Sequence, residues 1–235
     1  SVFPVEVSSR FIEIGGQRFR QSIVRDITER KQAERQIRRL NQLYAALSQT
    51  SEAIVRIKDA DALFRAICRI AVEHGGLRMA WVGMLEPESG EVKPVASAGG
   101  SQDYLEHAGP FRAREAARAP VEIALYRQRP YLSNDLQSDS ALAPICAQLR
   151  GAGFESGAAF PLRIGDRVVG ALTLYAAEKN YFDAMLVGLA TEMAADISFA
   201  LENFEKEAVR KAAVSRLHEL SRAVESSANG IMITE

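Results

Sequence analysis

Residues 157–175 read GAAFPLRIGDRVVGALTLY, and this stretch decides the fold. Two apolar runs, Gly157–Ile164 and Val168–Tyr175, stand on either side of a Gly165-Asp166 pair. Such a pair between two β-prone runs is typical of a tight hairpin turn, because glycine reaches the left-handed backbone region without strain. The sequence therefore predicts two long antiparallel strands that follow each other along the chain.

Further strands and helices lie on both sides of this hairpin. Met79–Leu85 and Val92–Ala98 have the same character and predict a second hairpin. A helix capped by Asp59 or Asp61 precedes it, and another helix runs from Phe182 to about residue 225. Helices before and after an antiparallel meander are typical of the α+β class, here with long N- and C-terminal connecting helices.

The segment between the two hairpins has weaker patterns. We expect a loop with a short helix over residues 99–120 and a helix over Val121–Arg127. A short strand over Pro130–Leu132 and a helix over Ser140–Arg150 follow, and Gly151 ends that helix.

Both ends of the chain carry short β-prone segments. Residues 1–25 contain two β-rich runs around Gly15-Gly16, which predicts another hairpin. One hairpin cannot form a stable core, so we expect residues 1–26 to be the tail of a domain that begins outside the chain. Residues 226–235 interrupt the last helix and begin a strand, as at the start of a further domain.

A helical linker is predicted over residues 27–57, where apolar residues recur at the three- and four-residue spacing of a heptad. This pattern predicts a coiled coil between two copies, and the alternative is a solvated helix with extended arginines. We favour the coiled coil, because no Gly or Pro occurs between Gln17 and Glu73. The candidate dimer residues on this helix and on the C-terminal helix are Ile37, Leu40, Tyr44, Leu47, Ile54, Met193 and Ile197.

Composition and charge narrow the classes of function. The chain has 235 residues, with 29 Lys or Arg and 30 Asp or Glu, so its net charge is −1. This balance offers no global attraction to nucleic acid or to an anionic membrane. No apolar run approaches the roughly 18 residues of a membrane-spanning helix, so we expect no membrane contact within the chain. The three histidines are scattered and predict no metal site.

The two cysteines, Cys68 and Cys146, stand in apolar surroundings without CxxC spacing. We expect both to be free thiols in a reducing, cytoplasmic environment. A full-length protein anchored in a membrane by other segments is compatible with this expectation.

Two terminal segments resemble PAS domains. Residues 23–34 read IVRDITERKQAE and are similar to the end of a PAS domain, whose final hairpin would be residues 1–26. Residues 217–235 read LHELSRAVESSANGIMITE and are similar to the entry into a second PAS domain, which would start at 226–235.

The middle of the chain, residues 45–203, resembles a bacterial GAF domain. The pieces that match are MAWVG at 79–83, PYLSND at 130–135, VGALTLY at 169–175 and AADISFALE at 194–202. The resemblance implies a GAF-like antiparallel sheet with flanking helices, followed by a helical linker over residues 204–225.

Chains with this order of domains resemble the cytoplasmic parts of bacterial sensors. The resemblance implies a non-catalytic sensory or regulatory module that relays a signal through dimeric helices. The family usually places a histidine kinase or a cyclic-di-GMP enzyme downstream, so the longer protein would carry the enzyme activity. The implied partners are a second copy of the chain, an output domain in cis and an unknown small molecule, and the sequence requires no cofactor.

The resemblance also implies where a ligand would bind, since GAF domains bind small molecules on one face of the sheet. We expect a cavity lined by Trp81, Phe160 and Tyr175, with Asn134 or Asp135 as polar contacts at its mouth. The alternative is an ordinary core with a capped turn, which we favour for any single residue of this set.

Two rival functions remain at this point. The GAF fold also supports methionine-sulfoxide reduction, a thiol chemistry that would need exposed cysteines in the positions of Cys68 and Cys146. The other rival is a ligand-free spacer that only holds two copies together.

Overall fold

The chain divides into two compact units, residues 1–45 and 46–235. In this computed structural model the described residues are 3–15, 17–100, 104, 105, 111, 112 and 118–227. The first unit contains the predicted N-terminal hairpin, formed by β1 (Val5–Ile14) and β2 (Gln17–Asp26), which pair antiparallel along their whole length.

A long helix, α1 (Thr28–Arg56), follows the hairpin within one residue of the predicted bounds. Asp26 starts it, because its carboxylate accepts the backbone N–H of Thr28 at 2.8 Å and the Thr28 hydroxyl at 2.6 Å. The predicted dimer residues on this helix differ in exposure. Ile37 and Tyr44 are 60% and 63% exposed, whereas Leu40, Leu47 and Ile54 are half-buried. The coiled coil through this helix stays a prediction.

The second unit is a six-stranded antiparallel sheet flanked by helices, which confirms the predicted α+β class. Its strands are β3 (Met79–Leu85), β4 (Glu91–Gly99), β5 (Phe111–Arg112), β6 (Tyr131–Ser133), β7 (Ser156–Ile164) and β8 (Arg167–Ala176). They lie in the order β5-β4-β3-β8-β7-β6. Its helices are α2 (Ala60–Glu73), α3 (Pro120–Arg127), α4 (Cys146–Gly151) and α5 (Ala184–Ser227), with a 3₁₀ helix at Ser140–Ile145.

The register of the strands assigns side chains to the two faces of this sheet, because directly paired residues share a face. Trp81 pairs with Thr173, and we call their side the front face. One residue further, Val82 pairs with Leu172 and Leu172 with Phe160, which places these three on the back face. The 3₁₀ helix, α3 and α4 pack on the front face, and α2 and α5 pack on the back face.

The predicted helix over Ser140–Arg150 is in fact two short helices. Pro144 lies in the 3₁₀ segment, and α4 begins only at Cys146. Proline has no N–H for the helical ladder and disturbs the preceding turn, which accounts for the break. The short strand β5 was not predicted, and the expected short helix over 99–120 falls mostly outside the described residues, as does the strand expected after Ser227.

Helix α5 has 44 residues, and its first half packs on the sheet. Met193 and Ile197 are 4% and 0% exposed, so their prediction as dimer residues is wrong: they fill the core of their own domain. Among the described residues, one helix, Ala184–Arg222 within α5, is long and apolar enough to cross a membrane, a test that core helices of soluble proteins also pass.

Candidate functional site

An aromatic cluster occupies the middle of the front face. The rings of Phe154 and Tyr175 stack with centroids 4.4 Å apart and an interplanar angle of 5°. Tyr104 meets Tyr175 edge-on, and their hydroxyls lie 3.1 Å apart. Trp81 packs against Phe111 at 5.1 Å. Trp81 and Tyr175 are both 0% exposed, so the two predicted ligand residues lie together in a closely packed core.

Two glycines make room for the large rings of this cluster. A Cβ atom at Gly157 would lie 2.8 Å from the Tyr175 ring, and one at Gly83 would lie 2.8 Å from the Trp81 ring. Carbon atoms do not approach so closely without displacement, so both positions require glycine for the rings to lie flat on the sheet.

Two polar groups of the front face have no hydrogen-bond partner among the described residues. They are the indole N–H of Trp81 and the hydroxyl of Thr173, and both residues are 0% exposed. A buried polar group without a partner is costly, so a native protein rarely keeps one without a reason. Trp81 and Thr173 are a direct cross-strand pair, so both residues belong to the same part of the front face.

The hydroxyls of this face stay neutral at physiological pH. Burial raises the pKa of Tyr104 to about 12, and it raises the pKa of Tyr175 well above its ordinary value. The neighbouring Trp81 N–H lowers the pKa of Tyr175 by a smaller amount than burial raises it. The geometry between the two groups does not meet that of a hydrogen bond. The nearby carboxylate of Glu122 accepts the backbone N–H groups of Arg118 and Ala119, at 2.7 and 3.2 Å. The aromatic cluster therefore presents neutral hydrogen-bonding groups.

Phe160 is not part of this cluster, which corrects the predicted cavity. It pairs with Leu172, one residue away from Thr173, and successive residues of a strand point to opposite faces. Phe160 consequently packs on the back face beside α5, where the domain has an open groove.

Asn134 is committed to the backbone rather than to a ligand cavity. Its Nδ2 donates to the Phe182 carbonyl at 2.9 Å, and its Oδ1 accepts the Phe182 N–H at 3.0 Å. The Asn134 carbonyl also accepts the N–H of Asn180 at 2.9 Å. Three hydrogen bonds thus tie the residue after β6 to the segment immediately before α5.

Residues 177–183, which we call the junction loop, are held by other contacts as well. Asp135 forms an ion pair with Lys179 at 2.8 Å, and this ammonium holds the pKa of the Asp135 carboxyl below its usual range. The Ser156 hydroxyl donates to the Glu178 carbonyl at 2.7 Å, and the Tyr181 hydroxyl donates to the Gly75 carbonyl at 2.5 Å. The predicted polar contacts Asn134 and Asp135 therefore fasten the start of α5.

The two cysteines lie on opposite faces of the sheet. Cys68 is 0% exposed in α2 on the back face, and burial raises the pKa of its thiol to about 12. Cys146 is half-buried beside the front-face cluster, with its Sγ 3.1 Å from the Gln137 side-chain oxygen. A reactive thiol needs a lowered pKa and access to substrate, and Cys68 has neither.

An open groove of about 520 Å³ lies on the back face between α5 and β7, and we call it the α5 groove. Phe160 and Pro161 line it from β7, Ala195 and Phe199 line it from α5, and Arg129 lies at its rim. No group of three or more His, Cys, Asp or Glu residues that could hold a metal ion occurs in the described part of the chain.

Comparison with protein families identifies this architecture. The model of the GAF domain family matches residues 58–202, which is more than half of the chain. The chain belongs to the GAF domain family. The match falls within the predicted 45–203 and confirms the resemblance for this part, whereas the PAS resemblance of the flanking segments stays a prediction.

Solved structures share the GAF fold at low sequence identity. The GAF domain of a phosphoenolpyruvate-protein phosphotransferase from Coxiella burnetii has 13% identity and a TM-score of 0.60, covering 72% of this chain and 98% of that one. The free methionine-R-sulfoxide reductase of Neisseria meningitidis, solved with its substrate, has 14% identity and a TM-score of 0.59, with 71% and 91% coverage. A domain assigned to a two-component sensor histidine kinase protein of Sinorhizobium meliloti 1021 has 17% identity and a TM-score of 0.50, with 63% and 94% coverage. The sequence has no significant match among curated proteins.

Proposed function

We propose that this GAF domain is a non-catalytic sensory module of a bacterial signalling protein. It binds a small molecule at the front face and passes the resulting change through α5 to an output domain in cis, a histidine kinase or a cyclic-di-GMP enzyme. The observation that carries the proposal is the hydrogen-bonded link from Asn134 to Phe182, which joins the sheet to the helix that leaves the domain.

The unpaired groups of the front face indicate the class of ligand. Among the described residues, no acceptor lies in hydrogen-bonding geometry with the Trp81 N–H, and the Thr173 hydroxyl can donate or accept. Their immediate surroundings are aromatic, and the nearby carboxylate of Glu122 is occupied by the backbone N–H groups of Arg118 and Ala119. A small, uncharged, planar molecule with a hydrogen-bond acceptor fits this chemistry, since it stacks on the rings and satisfies both groups.

The junction loop supplies the route from ligand to output. A shift of β6 on ligand binding acts on Asn134, and Asn134 holds both backbone groups of Phe182 at the start of α5. The second half of α5 is exposed and carries ion pairs such as Glu207 with Arg210 at 2.8 Å. Two such helices in a homodimer can alternate between two packings, which biases the output domains.

The geometry disfavours the reductase alternative. Cys68 and Cys146 are separated by the sheet, and Cys68 is fully buried with a raised thiol pKa. A ligand-free spacer is the remaining alternative, and the absence of a partner for Trp81 and Thr173 within the described part of the chain argues against it. We further propose that residues 1–26 and 226–235 belong to flanking PAS domains and that the module works in the cytoplasm.

Native mass spectrometry of residues 1–235 purified from their own host tests ligand binding. We expect a bound small molecule, and we expect the released compound to change the emission of Trp81, the chain's only tryptophan. Thr173→Val should weaken binding, because the valine has no hydroxyl. The control is Thr191→Val, whose hydroxyl donates to its own helix at 2.7 Å and lies away from the front face. Protein without any bound mass, together with unchanged emission on adding host metabolites, would favour the spacer.

A further inference from the structure

The α5 groove is open because β6 covers only part of the neighbouring strand. β6 pairs with β7 at Gly157–Ala159, and the rest of β7 forms the groove's inner wall. Phe160, 1% exposed, lies at the base, and Pro130 and Pro161 stand at the side. The groove is therefore largely apolar and of a size that accommodates a large side chain or a small ligand.

An added β-strand cannot occupy this edge. Pro161 has no N–H to donate, and the N–H of Arg163 already donates to the Ser198 hydroxyl at 2.9 Å. Along an edge strand, the N–H groups of alternate residues point away from the sheet. Over the part of β7 that β6 leaves uncovered, these are the positions of Pro161 and Arg163. The occupant of the groove must therefore bind through side chains.

Two arginines, Arg129 and Arg163, and one carboxylate, Glu202, line the groove. Glu202 is paired with Lys206 at 2.6 Å, so the groove keeps a net positive charge. The guanidinium of Arg129 has no hydrogen bond or ion pair with any described residue. Arg163 donates to the carbonyl oxygens of Gln128 and Asp166, at 2.7 and 3.1 Å, so no carboxylate neutralises it within the described structure. On α5, the exposed carboxylate of Glu192 likewise has no partner in the described part of the chain.

Phe199 stands at the rim of the same groove and is 64% exposed. Because Phe199 adjoins the apolar lining of the groove, the two form one apolar surface, and aromatic side chains are enriched in protein contacts. Glu192 lies about two turns before Phe199 on the same face of α5. One copy of α5 therefore presents an aromatic side chain and a carboxylate on the face that adjoins the groove.

We propose that the occupant of the α5 groove is a second copy of this chain, which inserts its Phe199. The inference rests on the homodimer of the proposed function and names the surface that forms it. A two-fold contact requires that one chain carry both halves of the interface. This chain does so: Phe199 matches the apolar groove, and Glu192 matches Arg129 in charge. Each copy then completes the groove of the other.

Sedimentation equilibrium of the 235-residue chain and its variants tests this surface. Phe199→Glu should weaken dimerisation by about 30-fold or more, as for an aromatic side chain at the centre of an interface, and Phe199→Leu should weaken it much less. Tyr126→Glu is the matched control, since Tyr126 is 50% exposed and does not line the groove. Far-UV circular dichroism should be unchanged in all three variants, and so should urea midpoints measured at protein concentrations below the dimer dissociation constant, because the replaced side chains are exposed in the monomer.

Charge reversal tests the pairing across the interface. Arg129→Glu alone should weaken the dimer about tenfold, and combining it with Glu192→Arg should restore most of the affinity, because the attraction is re-formed with opposite signs. A double variant no tighter than Arg129→Glu alone would overturn the pairing.

The variants also separate this inference from the proposed function. A dimer that survives Phe199→Glu but is lost in Leu40→Glu/Leu47→Glu overturns the inference and leaves relay through dimeric helices standing. Loss of the dimer in Phe199→Glu supports the inference, whatever the α1 variant does. A wild-type chain that stays monomeric at high micromolar concentration overturns both the inference and the dimeric relay, while ligand binding at the front face is decided by the mass measurement alone.

Discussion

Replacing Asn134 by alanine should destabilise the domain at the junction loop. The side chain forms two hydrogen bonds to Phe182, at 2.9 and 3.0 Å, and Phe182 is 2% exposed. Asn134→Ala removes both bonds and leaves a backbone N–H and a C=O without partners. A buried group left unpaired costs about 1–3 kcal/mol, and partial access of water favours the lower end. We therefore expect the free energy of unfolding to fall by about 2–4 kcal/mol.

Urea unfolding at pH 7, combined with amide hydrogen exchange, measures this effect. A loss of this size corresponds to a fall in Tm of about 5–15 °C for a unit of this length. The Phe182 amide should exchange faster, because its acceptor is gone. Asn134→Asp should exchange at an intermediate rate, since it keeps the acceptor for the Phe182 N–H and loses only the donor to the carbonyl.

Asn203→Ala is the control for this experiment. Asn203 is exposed on α5 and should change stability by no more than about 0.5 kcal/mol. The reasoning is refuted if Asn134→Ala matches this control in stability and the Phe182 amide exchanges at the wild-type rate.

Three further predictions concern the front face, the thiols and the ion pair of the junction loop. Thr173→Val should raise the free energy of unfolding of ligand-free protein by about 1 kcal/mol, because it removes a buried hydroxyl without a partner; a loss of stability in thermal melts would contradict this. Cys68 should not react with a thiol reagent in native protein, because it is 0% exposed with a thiol pKa raised to about 12, and its labelling before unfolding would count against the described burial. Lys179 lowers the pKa of Asp135 in the folded protein. Wild type should therefore be more stable than Asp135→Asn at neutral pH, well above the ordinary Asp pKa of about 3.9. This difference in the free energy of unfolding should disappear as pH falls through the lower pKa of the folded state. Urea melts in which this difference in stability grows as the pH is lowered would contradict the prediction.

Local sequence patterns predicted most elements of this fold within one or two residues. The turn at Gly165 and the carboxylates of Asp26 and Asp59 mark element boundaries through contacts only a few residues apart, so they can be read from the chain. The single helix predicted over 140–150 is wrong, because Pro144 breaks it and a proline outweighs apolar spacing in a helix interior.

The candidate site was predictable only in part. Trp81 and Tyr175 do share a face, because alternation along β3 and β8 fixes which residues of one strand go together. Phe160 was assigned to the wrong face, because alternation within a strand does not say how that strand is aligned with its neighbours. Phe154 and Tyr104 were missed altogether, since both lie in segments without a periodic pattern.

By itself, the sequence determined the order of most strands and helices, the resemblance to the GAF family and the net charge of −1, because these depend on residues close together or on composition. The tertiary structure decided the alignment of β7 with β8, the burial of Met193 and Ile197, and the partner of Asn134. Each of these depends on contacts between distant segments, and a shift of one residue in register exchanges the two faces of a strand. For that reason Asn134, which the sequence predicts as a ligand contact, instead holds the start of α5.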